Sequence, residues 1–186
     1  MKTSRYLSAF VAVAAASLFF ATSALATSSL PLPTAISGRG SGTEVGGAGS
    51  CNNGTNGCTG MSGSCECYEF SGTGTANGGI GTVLFSTDFI LVIGVQISLP
   101  CESAYGTLLL TQKSNSSNVL ALDYQGLDCL NISGTEFVFN GGFSVNTTAS
   151  LGKFTNALGN GTFSAGISET GTVTIGGING TLELVK

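Results

Sequence analysis

Beyond residue 65 the chain reads as short apolar runs, rich in Val, Ile, Phe, Leu and Thr, broken by Gly, Asn and Ser. No window keeps apolar residues at the three- and four-residue spacing of one helical face, so no long amphipathic helix is expected. The runs predict strands near residues 66–75, 82–86, 89–97, 107–112, 119–125, 136–140, 143–146, 162–167, 172–175 and 181–185, some of which merge. Alternation is sharpest toward the end of the chain. Phe137 and Phe139 point one way and Glu136, Val138 and Asn140 the other; Val173 shares a face with Ile175, and Leu182 with Leu184 and Lys186. The run Phe89, Ile90, Leu91, Val92, Ile93 is apolar on both faces. It predicts cover on both sides, from a neighbouring subunit or from a disulfide-bound leader.

Gly-Thr dipeptides open many of these runs, at Gly81, Gly106, Gly134, Gly161, Gly171 and Gly180. Glycine supplies a turn conformation and the β-branched threonine begins a pleated strand. After merging, about eight strands remain, an estimate that rests on run lengths and turn spacing. Eight antiparallel strands can close into a barrel whose interior holds side chains or one small ligand, and closure removes exposed edges. The expected fold is therefore an all-β antiparallel barrel behind a disulfide-rich loop, with a β-sandwich as the alternative.

The front of the chain is different. Residues 1–26 have the three parts of a secretory signal: Lys2 and Arg5, an apolar run over 6–21, and the small-x-small site Ala24-Leu25-Ala26. The apolar run is short for a bilayer and no basic stop-transfer cluster follows it, so no membrane span is expected after processing. Residues 27–50, with Pro31, Pro33 and frequent glycine, read as a flexible, extended leader; residues 51–186 form the single folded domain. A membrane barrel is disfavoured by the short irregular runs and the absence of aromatic girdles. The location implied is secreted or periplasmic.

Composition narrows function mainly by exclusion. The chain of 186 residues has no His and no Trp, and only 9% of it is charged. Without His there is no imidazole-based nucleophile pair, haem ligand or metal site. Lys and Arg number 6, too few for a nucleic-acid surface. Loss of Lys2 and Arg5 with the signal leaves Arg39, Lys113, Lys153 and Lys186 against ten acids, a net charge of −6. Such a chain is soluble and repelled by anionic membranes.

An even set of cysteines in an exported chain reads as disulfides. They are Cys51, Cys58, Cys65, Cys67, Cys101 and Cys129. Cys65 and Cys67 are too close in sequence to bridge each other without strain. We expect two bridges within residues 51–67, where apolar burial is scarce, and one between Cys101 and Cys129. The spacing of the first four is not that of a zinc knuckle, so no metal is assigned, and no cofactor is implied.

Few residues suggest chemistry. Asp88 sits at the joint of two apolar runs, where it caps a turn or stands in a barrel mouth with a raised pKa. Asp123 and Gln125 flank Tyr124 on one predicted strand, a candidate ligand-contacting patch. Glu66 and Glu69 fall on opposite strand faces and form no acid/base pair. Glu102 and Asp128 adjoin Cys101 and Cys129 and come together if those cysteines pair, a weak two-carboxylate attraction for a divalent cation.

The segment Leu151-Gly152-Lys153-Phe154-Thr155-Asn156-Ala157-Leu158-Gly159-Asn160-Gly161-Thr162-Phe163 resembles one that recurs in dirigent proteins, in allene-oxide-cyclase-like barrels and in small exported bacterial proteins. The resemblance implies an eight-stranded calycin-like barrel, often homo-oligomeric, with Phe154 and Ala157 burying one side of a helical turn. It carries no catalytic position onto this chain. The functional expectation is an exported, non-enzymatic barrel binding a small apolar ligand, through Asp88, Asp123 and Tyr124, or a surface partner. A cyclase- or dirigent-like enzyme and a structural or adhesive extracellular protein are the alternatives.

Overall fold

The computed structural model describes residues 33–46, 64–98 and 101–185. The signal segment and two cysteines of the expected cluster, Cys51 and Cys58, lie outside the described residues. Eight strands follow in chain order: β1 (Thr34–Gly46), β2 (Ser64–Ala76), β3 (Gly81–Ser98), β4 (Cys101–Gln112), β5 (Val119–Leu130), β6 (Glu136–Val145), β7 (Leu158–Ser168) and β8 (Thr172–Glu183). Each pairs antiparallel with the next, and β8 returns to β1. The sheet is a closed up-and-down barrel. The sandwich alternative falls.

Three pairs of predicted runs are single strands: 82–86 with 89–97 in β3, 136–140 with 143–146 in β6, and 172–175 with 181–185 in β8. The eighth strand comes from the segment read as a flexible leader. The barrel begins at Thr34, well before residue 51. Local sequence hid this strand because, after Ile36, its inward positions are Gly38, Gly40, Gly42 and Glu44 rather than apolar side chains. Their place is filled from across the barrel. A Cβ on Gly42, or on Gly72 opposite it, would come within 2.8 or 2.7 Å of the Phe85 ring. One large ring thus covers the space that several small residues leave, a known device for packing glycine in strongly curved sheets.

The Gly-Thr dipeptides divide the same way. Gly81, Gly134 and Gly171 have positive φ and do open strands. Gly106, Gly161 and Gly180 lie within strands, where each meets an aromatic side chain; a Cβ on Gly106 would come 2.6 Å from the Tyr124 hydroxyl.

The barrel axis has two unlike ends. One is sealed by the β2–β3 turn and the β6–β7 connection, which bring Ile80, Phe154 and Ala157 over the interior. Phe154 stands in a 3-10 turn, Gly152–Phe154, and is fully buried. Gln112 Nε2 donates to the carbonyls of Gly79 (3.1 Å) and Ile80, and Lys153 Nζ donates to Gly79 O at 2.6 Å. These bonds satisfy turn carbonyls that closure takes from water. Midway, Tyr124, Phe139 and Phe163 pack ring against ring at 4.9–5.4 Å and fill the bore.

The outer wall carries Ser37, Arg39, Ser41, Thr43, Thr73, Thr75, Asp123 and Gln125. Leu84, 49% exposed, is an apolar residue on the same outer wall. No helix among the described residues is long and apolar enough to cross a membrane. The strand predicted to be apolar on both faces is covered on both: Phe89 packs in the bore, while Val92 and Cys67, which face outward, are each only 7% exposed. Cys65 and Cys67 are both disulfide-bonded on that face. Cys101 and Cys129, directly opposite each other on β4 and β5, form the expected bridge with their Cα atoms 4.0 Å apart.

Candidate functional site

The second end of the barrel is a mouth that no described residue covers. There β1, β3, β5 and β7 finish and β2, β4, β6 and β8 begin, so alternation along each strand decides what points inward. It turns Glu44 of β1, Glu66 and Tyr68 of β2, Glu102 of β4 and Asp128 of β5 toward the axis. Glu136 and Glu169 stand at the same rim, on the first residue of β6 and the β7–β8 turn. The described basic residues, Arg39, Lys113 and Lys153, lie toward the sealed end, and residues 40–112 contain no Lys or Arg. The barrel is therefore electrostatically polar along its axis.

Beneath the rim is a pocket of about 200 Å³. Its apolar walls are Tyr68, Phe70, Phe89, Leu91, Phe137 and Ile167, and its polar atoms come chiefly from Glu44, Asp128, Ser168 and Glu169. Phe70 and Phe89 meet edge to face at 6.3 Å, and Phe89 continues into the ring cluster that fills the bore. The pocket is a cup with an aromatic floor. It does not run through the barrel.

Asp128 dominates its chemistry. The residue is 5% exposed, and its Oδ1 is buried with no hydrogen-bond partner. The Cys101–Cys129 bridge fixes the register that sets Glu102 directly across from it. Burial, and then the Glu102 charge, push the Asp128 carboxyl up to about 6. Tyr68 donates its hydroxyl to Glu66 Oε2. Burial, that hydrogen bond and the charges of Glu66, Glu44 and Glu102 push its phenol up to about 12, so it stays protonated. Among the described residues no group of three or more His, Cys, Asp or Glu is arranged to hold a metal ion.

The residues singled out in the sequence stand elsewhere. Asp88 is half-buried on the outer face of β3, opposite Glu69 and Thr107; burial, and then Glu69, raise its carboxyl. Asp123 is exposed on the outer wall, where Oδ1 accepts from Thr107 Oγ1 (2.8 Å) and Oδ2 from Asn146 Nδ2 (2.9 Å). With Gln125, Gly142 and Ser144 it borders a shallow hollow outside the barrel. Tyr124 is the one of the three inside, 3% exposed, its hydroxyl shared between Thr87 Oγ1 (2.8 Å) and the Asp88 carbonyl (2.9 Å). Burial raises its phenol further than that of Tyr68. Tyr124 and Asp88 are thus linked through the Asp88 backbone, but none of the three lines the mouth.

Of the mouth residues, the sequence marked Glu66 as a strand carboxylate and Phe137 by alternation, and it brought Glu102 and Asp128 together through the neighbouring cysteines. Glu44 was hidden in the apparent leader. Tyr68 and Phe70 sit beside Cys67, where the cysteine spacing drew attention from the alternation. No known protein family, curated protein or solved structure matches the chain.

Proposed function

We propose that this protein is an exported, non-enzymatic barrel that binds a small apolar ligand in its mouth. The observation that carries this reading is the aromatic-floored cup of about 200 Å³ in a barrel otherwise filled with side chains. An apolar cavity of about 150 Å³ holds benzene, so the cup suits one ring with a short substituent. Few convergent polar groups in an apolar concavity are the usual composition of a ligand site. Export is supported by the signal-like first residues and by the Cys101–Cys129 bridge, which persists in oxidising compartments. The tyrosines near the bore offer no poised acid or base: Tyr124 is held by Thr87 and the Asp88 carbonyl, and Tyr68 by Glu66.

The test is a methyl-detected NMR titration with benzyl alcohol, a neutral single-ring probe. Shifts concentrated at Leu91 and Ile167, and lost in an Ile167→Trp variant that fills the cup, are expected. Saturable shifts confined to the outer wall, or none, would overturn the proposal.

A further inference from the structure

The mouth contains a feature that a purely apolar ligand would leave unexplained. Asp128 is buried, lines the cup, and keeps one oxygen without a partner. A buried carboxylate oxygen without a donor is costly, and native structures rarely retain one without a role. Among the described residues no cation reaches it. The titratable groups near Asp128 are Tyr124, deeper in the bore on its own strand, and, at the mouth, Glu102 of β4, Glu44 of β1, Glu66 and Tyr68 of β2, and Glu169 of the β7–β8 turn. Four are carboxylates and two are phenols. Residues 47–63, between β1 and β2, and 93–100, the end of β3 and its link to β4, are uncharged in sequence.

We propose that the mouth selects a small amphiphilic amine, its ring or alkyl body on Phe70 and Phe89 and its ammonium group donating to Asp128. This deepens the ligand-binding reading and rests on it. An ammonium satisfies the unpartnered oxygen with a charge-assisted bond and lies within a field to which Glu44, Glu102 and Glu169 all contribute. Aromatic faces around the cup add cation–π attraction in a partly desolvated site. A carboxylate or phosphate ligand meets repulsion from every side. A bare divalent cation finds two opposed carboxylates against aromatic walls, far short of the six to eight oxygens that calcium takes.

The experiment compares three probes of one size on the full exported chain: benzylamine, benzyl alcohol and benzoate, followed at the Leu91 and Ile167 methyl groups. At pH 7.5 and low salt, benzylamine should bind at least about tenfold more tightly than benzyl alcohol, with benzoate weakest. The amine stays protonated at pH 4.5 while Asp128 takes up its proton, so its advantage should shrink to about threefold or less. Asp128→Asn should abolish the advantage at pH 7.5, so that benzylamine then binds within about twofold of benzyl alcohol. If the alcohol binds the mouth as tightly as the amine, amine selection is wrong and the apolar site stands. If neither probe moves these methyl groups, the mouth is no ligand site and both proposals fail. Should the variant not fold, the wild-type pH series decides: an advantage unchanged from pH 7.5 to 4.5 overturns the role of Asp128.

Discussion

Asp128 shows how a single side chain can work against the fold that holds it. Its carboxyl stands near 6 in the native state, against 3.8 for an unhindered aspartate, so the folded protein keeps a proton that the unfolded chain releases. Between those values the native state binds more protons, and stability falls as pH rises. The contribution is fully present below about 3.8 and gone above about 6; Asp88, also raised, acts in the same direction. Asp128→Asn should therefore stabilise the protein at pH 7 by about 1–3 kcal/mol and flatten this part of the pH profile, as measured by urea unfolding at pH 4 and 7. Gly72 makes the opposite point. A methyl group there meets Gly42 Cα at 2.5 Å and Phe85 at 2.7 Å, so Gly72→Ala should cost about 1–3 kcal/mol in thermal unfolding, although the backbone is ordinary strand.

The strands differ in what holds them. β4 and β5 are joined by the Cys101–Cys129 bridge across a sequence separation of 28. Chain-entropy estimates give such a loop about 3–4 kcal/mol, an upper figure for a hairpin already paired along its length. Replacing both cysteines with alanine should lower stability by about 2–4 kcal/mol by urea unfolding and loosen the Glu102 and Asp128 positions at the mouth. The sealed end depends on burial instead. Phe154 is wholly enclosed and has Lys153 Nζ 4.9 Å above its ring, so Phe154→Ala should cost about 3–5 kcal/mol by the same measurement, with the larger effect expected if the end cannot collapse.

For the barrel as one object, β1 is the closing piece, since it pairs with both β2 and β8. A chain starting at residue 33 should give the same strand signal by circular dichroism and the same elution volume as one starting at residue 27. A chain starting at residue 51 lacks β1, exposes the edges of β2 and β8, and should aggregate or unfold. Recovery of a stable monomer from the shorter chain would contradict the closure described here. The axial charge separation belongs to this level too. Neither the acidic rim nor the basic sealed end is a run of charge in the sequence; antiparallel strands gather charges from both ends of alternate segments onto one rim.

Local pattern was enough to read an all-β chain, a run within each strand from β2 to β8, and the Cys101–Cys129 pair, because each depends on spacing within a short stretch or on the scarcity of alternatives. Phe137, Phe139, Val173 and Ile175 face inward as their alternation implies. Alternation failed where an inward position is glycine, as in β1, because the ring that fills the gap is Phe85 on another strand. It also misplaced the candidate site. Asp88 and Asp123 are conspicuous as carboxylates in or between apolar runs, yet both face the outer wall. Asp128 looked like an ordinary charge beside a cysteine until closure set Glu102, Phe70 and Phe89 around it. The identity of an inward face is a property of two neighbouring residues. The identity of the mouth requires all eight strands, because only the closed register settles which ends share a rim.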